Sequence, residues 1–192
     1  MTVMLLGLLL FLASHLMRAL AGGWRERQIS RHGETAWKAA CSVLALVGLV
    51  LAIYGYGLTR ADATLLWAPP AWTQHLLALV MIPAFLLLFA AYAPANRLRN
   101  AVGHPLLLAV GVWALAHLTA NARLGDILFF GAFLAWVAIA YPAARRRDQA
   151  AGRALPEPRP AGEAVTVAGG LAGYLVFALF LHVPITGVPA YG

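Results

Sequence analysis

Apolar residues run in six long blocks along this chain, separated by short polar stretches. The blocks cover about residues 2–20, 37–58, 71–93, 104–121, 126–143 and 164–183. Each is long enough to cross about 30 Å of hydrocarbon at roughly 1.5 Å per helical residue. None alternates with period two, as barrel strands do. Within lipid a helix satisfies its own backbone hydrogen bonds. The pattern therefore predicts an all-α, polytopic membrane helix bundle of about six transmembrane helices. Pro69-Pro70 precedes the third block, Pro83 predicts a kink within it, and Pro105 opens the fourth in its first turn. Pro156-Glu157-Pro158-Arg159-Pro160 predicts an extended, solvated linker before the last block. Residues 1–192 read as a single transmembrane domain.

Composition supports this reading. Hydrophobic residues make up 62% of the chain and charged residues 11%, against roughly 25% charged in a soluble domain. The net charge of +7 would favour nucleic acid if it were clustered on one polar face. Instead the charges sit between apolar blocks, which argues against a nucleic-acid partner and for the bilayer. Of the 14 Lys and Arg residues, twelve fall in the first, third and fifth connections. Arg60 and Arg123 alone fall in the second and fourth. The positive-inside rule places the twelve in the cytoplasm and both termini outside. The first block lacks a basic leader and a small-residue cleavage site, so it is expected to stay as a helix. Cys41, the single cysteine, cannot form an internal disulfide.

Candidate chemistry lies with the histidines. His32 falls in a charged stretch and is expected in solvent. His15, His75, His104, His117 and His182 fall within or at the ends of apolar blocks. Ionisable groups inside a membrane are costly and mark functional sites by default, although a single His often serves only to join helices. Almost no carboxylate lies inside the blocks, so Mg²⁺ and Ca²⁺ lack ligands. No HExxH motif is present for zinc. Imidazoles spread over several helices suit haem, whose macrocycle supplies four nitrogens and leaves one or two to the protein. There is no CxxCH, so the expected cofactor is non-covalent haem b. The small partner is expected to be a hydrophobic or diatomic ligand.

Trp113, His117 and Asn121 are spaced by four and share a helix face. Trp113 could flank a flat ligand there, and Asn121 could orient the His117 ring. His104 and His117 stand about 20 Å apart along the same helix, so one iron cannot take both. Depth in the expected topology pairs His15 with His104 and His75 with His117. Arg18 is a candidate cation for porphyrin propionates, or a plain interface anchor.

These residues resemble the NnrU family. The resemblance runs to about residue 147 and rests on Ser14-His15 with Arg18, Arg31-His32-Gly33-Glu34 leading to Trp37-Lys38, Leu66-Trp67-Ala68-Pro69-Pro70-Ala71-Trp72 leading to His75, His104-Pro105, and Trp113-Ala114-Leu115-Ala116-His117 with Asn121. It implies a bacterial inner-membrane protein linked to nitrite and nitric oxide metabolism in denitrification. The related plant zeta-carotene isomerase uses haem b to isomerise a cis double bond. Its haem ligands match His15 and His117 here, a pairing that differs from the one depth gives. That enzyme has a Cys where Ala114 stands, so a thiolate ligand is not carried over, and Gly103 replaces the usual Arg before His-Pro. Three functions follow as expectations. One is a haem enzyme acting on a nitrogen oxide or a polyene. Another is a non-catalytic assembly or haem-handling factor. The third is an electron carrier with two haems.

Overall fold

The computed structural model describes residues 1–61, 64–152 and 154–190. Its elements are α1 (Thr2–Leu20), α2 (Gly22–His32), α3 (Glu34–Thr59), α4 (Trp72–Tyr92), α5 (Arg97–Val102), α6 (Pro105–Ala120), α7 (Leu124–Ala150) and α8 (Pro160–Thr186). The last helix is continuous but contains two π turns, Val165–Gly169 and Phe177–Leu181. The chain is an all-α membrane bundle. Five helices, α1, α3, α4, α7 and α8, are long and apolar enough to cross a bilayer. Their exposed faces carry Leu, Val, Ile and Phe, the surface that lipid contacts.

The sixth expected span, α6, is the exception in length. Its 16 residues reach about 24 Å, short of the roughly 30 Å of a hydrocarbon core. The sequence limits it at both ends. Gly103 takes φ +74 just before His104-Pro105, and Asn121 is extended. Its position makes the shortfall tolerable. Ala109, Gly111, Ala114, Ala116 and Ala120 are buried between α4 and α7, and helix buried in protein need not match the lipid.

Helix directions follow from pairs of touching residues. Gly7 lies against Ala52, Gly48 against Phe11 and Gly55 against Met4, so α1 and α3 are antiparallel. A side chain at any of these glycines would meet backbone of the other helix, the small-residue packing that brings membrane helices together. Gln74 bonds to Ala120 across α4 and α6, and Tyr141 of α7 to Val102, at the end of α5 just before α6 begins. Gly169, Gly170 and Gly173 of α8 receive Phe89, Leu86 and Phe85 of α4. The six long elements thus alternate in direction. Arg18, Arg25, Arg27, Arg31, Lys38, Arg97, Arg99, Arg145, Arg146, Arg147 and Arg159 gather at one end of the bundle. Arg153 lies outside the described residues. Arg60 and Arg123 stand at the other end.

Two polar stretches differ from the expected loops. Residues 22–32 form helix α2, with Arg25, Arg27 and Arg31 on it and Trp24 packed edge-on to Trp37 at 5.5 Å. The fifth span runs on to Ala150 through Arg145, Arg146 and Arg147, because arginine is a good helix former outside the lipid as well. Ala154 to Arg159 carries no helix, as the prolines predict, and is docked by Asn100 Nδ2 to Pro156 O (2.8 Å) and Arg159 N to Ala95 O (2.8 Å).

Candidate functional site

A chamber of about 1100 Å³ opens near the arginine-poor end, walled by α3, α4, α6, α7 and α8. Leu49, Ile53, Leu77, Met81, Phe85, Val110, Trp113, Phe129, Phe130, Phe133 and Phe177 supply its apolar surface. Ligand cavities usually run to about 1,000 Å³ with apolar walls and few polar groups. The polar groups here are Tyr56, Arg60, Gln74, His117, Asn121, Arg123, Asp126, Tyr174, His182 and Thr186.

His117 stands on α6, one turn from its C-terminal end. Its Nδ1 lies 2.8 Å from the Trp113 carbonyl. A carbonyl only accepts, so Nδ1 carries the proton and Nε2 keeps a lone pair. Phe130 stacks on the ring at 4.7 Å and Trp113 tilts over it at 5.3 Å. Trp113, His117 and Asn121 do meet at one wall, as their spacing requires. Asn121 has a different task from the expected one. Its Nδ2 donates to the His117 backbone carbonyl at 2.9 Å, closing the helix end, while Trp113 O orients the ring.

The other sequence candidates lie elsewhere. His15 is exposed on α1, where Nδ1 lies 2.8 Å from Phe11 O and the ring packs on Phe11 and Trp136. Trp136 is six residues beyond Phe130 on α7, about 9 Å along the axis, and the buried Phe133 stands between. His75 is exposed on α4, while its neighbour Gln74 faces the chamber. His104 sits at the basic end with Nε2 3.0 Å from Asp148 Oδ2. Arg18 is exposed at that same end. The structure therefore brings neither His15 with His104 nor His75 with His117 into this chamber.

The sequence did not assign the buried Asp126 or the two arginines, Arg60 and Arg123, to a site, and it marked His182 only as one of five histidines in or beside apolar blocks. Asp126, 6% exposed, lies in the first turn of α7. One of its oxygens accepts from Tyr56 OH at 2.8 Å and the other from Arg123 N at 3.0 Å. The helix N-terminus further favours its charge. Arg60 donates to the Thr186 carbonyl and stands 5.7 Å from the Tyr56 ring centre. Arg123 Nη1 donates to Arg60 O at 3.2 Å. His182 completes the set on α8. The two arginines of the even connections, sparse as the positive-inside rule requires, both line this chamber.

The profile of the NnrU protein family matches residues 3–190. The chain belongs to the NnrU family. The match covers nearly the whole length, beyond the residue 147 at which the motifs fade, so α8 and His182 lie inside the family's span. No curated protein and no solved structure matches the chain.

The residues present fit a haem. Among the described residues no three His, Cys, Asp or Glu side chains converge, so a bare ion would lack a ligand set. A macrocycle needs only axial nitrogens. His117 offers a fixed ring with a free Nε2, aromatic side chains provide flat walls, and Arg60 and Arg123 offer cations for anionic edges.

Proposed function

We propose that this NnrU-family protein is a haem-b-binding protein of the bacterial inner membrane, with His117 as an iron ligand. One observation carries the reading. The His117 Nδ1 is held by Trp113 O, and the residue lines an apolar chamber large enough for a macrocycle. When bound, the haem would supply a redox-active iron. The chain's own residues bind and orient it. Trp113 O fixes the imidazole tautomer and raises its basicity. Phe130 and Trp113 hold the ring plane. Phe129, Phe130 and Phe133 exclude water. Arg60 and Arg123 receive propionates in place of the expected Arg18. The family resemblance connects such a protein to nitrite and nitric oxide metabolism.

A second reading is haem-dependent isomerisation of a cis-polyene. The chamber's volume supports it, since about 1,000 Å³ already serves a drug-sized ligand and leaves this one room for an apolar co-ligand. The deciding experiment is a visible spectrum of the full chain, purified from haem-replete cells, oxidised and reduced. A Soret band with about one iron per chain is the expected result. Colourless protein that also fails to take up added haemin would end the haem reading. Conversion of a cis-polyene by the loaded protein would select the second reading.

A further inference from the structure

The chamber holds a second imidazole. His182 lies on α8, a different wall from the α6 of His117. Its Nδ1 is 2.7 Å from Val188 O and 3.1 Å from Thr186 Oγ1. The carbonyl again places a proton on Nδ1, so in the neutral ring the lone pair is on Nε2. No hydrogen bond reaches that Nε2 from the described residues, and none reaches Nε2 of His117. Phe177 meets the His182 ring edge-on at 5.8 Å and 88°. The π turn Phe177–Leu181 ends immediately before His182, and such turns are frequent at functional sites. Both imidazoles line the same chamber.

Two rings, each tethered through Nδ1 and each lining one cavity, form a pair. His15 is tethered in the same way by Phe11 O, yet it is not on the chamber wall. We infer that His182, with His117, provides the two axial nitrogens of one haem. This inference rests on the haem reading and names the nitrogen that completes it. Both Nε2 lone pairs donate to iron, both protons stay on Nδ1, and no covalent bond is broken.

The test uses the full chain in lipid nanodiscs, loaded with haemin, read by absorption and electron paramagnetic resonance of the ferric state. The wild type should be low-spin and six-coordinate. His182→Ala should keep its haem on His117 but become high-spin, and added imidazole should restore the low-spin signal. His182→Met should stay six-coordinate with a raised reduction potential, since Met/His ligation raises it. It also covers the case in which the alanine variant does not fold. His15→Ala should match the wild type. A low-spin His182→Ala without added imidazole overturns the inference. So does a high-spin His15→Ala, a high-spin wild type, or an unchanged potential in His182→Met. Each of these leaves haem binding intact. A wild type without haem instead defeats the parent reading.

Discussion

The Trp113 carbonyl lies 2.8 Å from His117 Nδ1, and this single bond decides which face of the imidazole the chamber meets. The acceptor is a backbone atom four residues back, so the helix itself sets the tautomer. Mutating the Trp113 side chain would leave that bond in place and change only the stacking.

His117→Ala removes the proposed iron ligand and leaves an unfilled polar gap against Phe130. Haem content should fall sharply, or the ferric spectrum should lose one axial nitrogen. His32→Ala, on the exposed end of α2, should leave both unchanged. A normal spectrum in His117→Ala, measured at equal protein, would remove His117 from the ligand set.

The alternating helices put both termini on one side, and the arginine distribution makes that side the outer one. A reporter fused after residue 150 should be active as a cytoplasmic reporter, and one fused after residue 192 as a periplasmic reporter. The short helix α6 is what this experiment probes. If it did not cross, the two fusions would not differ in the expected sense.

Much of the fold was legible because membrane helices announce themselves by length and apolarity. The blocks 2–20 and 71–93 match α1 and α4 closely. The ends drifted where polar residues continue a helix beyond lipid, as at Arg145 to Ala150. Helix α2 was invisible because its composition reads as a charged connection, and Trp24 finds Trp37 only across a turn. At the site, periodicity placed Trp113, His117 and Asn121 on one wall. It could not show that Asn121 would bond backbone, since the side chain reaches donor and acceptor alike. The outward course of the last span puts His182 at the same depth as His117. That depth was the available signal for His182, whereas Tyr56 and Asp126 meet only through the fold.

Tyr56→Phe should expose the cost of that meeting. Asp126 would keep its carboxylate in a buried place with one donor gone. Hydrogen bonds to charged groups contribute about 1.5–3 kcal/mol, so the melting temperature in detergent should fall. Asp126→Ala combined with Tyr56→Phe should lose less than the two single changes added together, because each alone already breaks the same bond. Strict additivity would mean that the two side chains do not share one interaction.

Gly55 faces Met4 backbone, with no space for a side chain. Gly55→Leu must push α1 and α3 apart, and overpacking of this kind costs about 1–3 kcal/mol. The same change at Gly131, where nothing lies within 4 Å of an added Cβ, should be mild. Equal melting temperatures for the two variants would contradict the close approach of α1 and α3.

The last helix is fastened along α4, by aromatic rings set over glycines, and lines the chamber with Tyr174, Phe177, Ala178 and His182. Whatever fills that space touches α8 on one flank and α6 and α7 on the other. The occupant is therefore a strut as well as a cargo. Its concentration sets how firmly the final segment is seated, through the mass-action gain that any ligand gives to the folded form. Supply of the small molecule and survival of the newly inserted chain become one quantity.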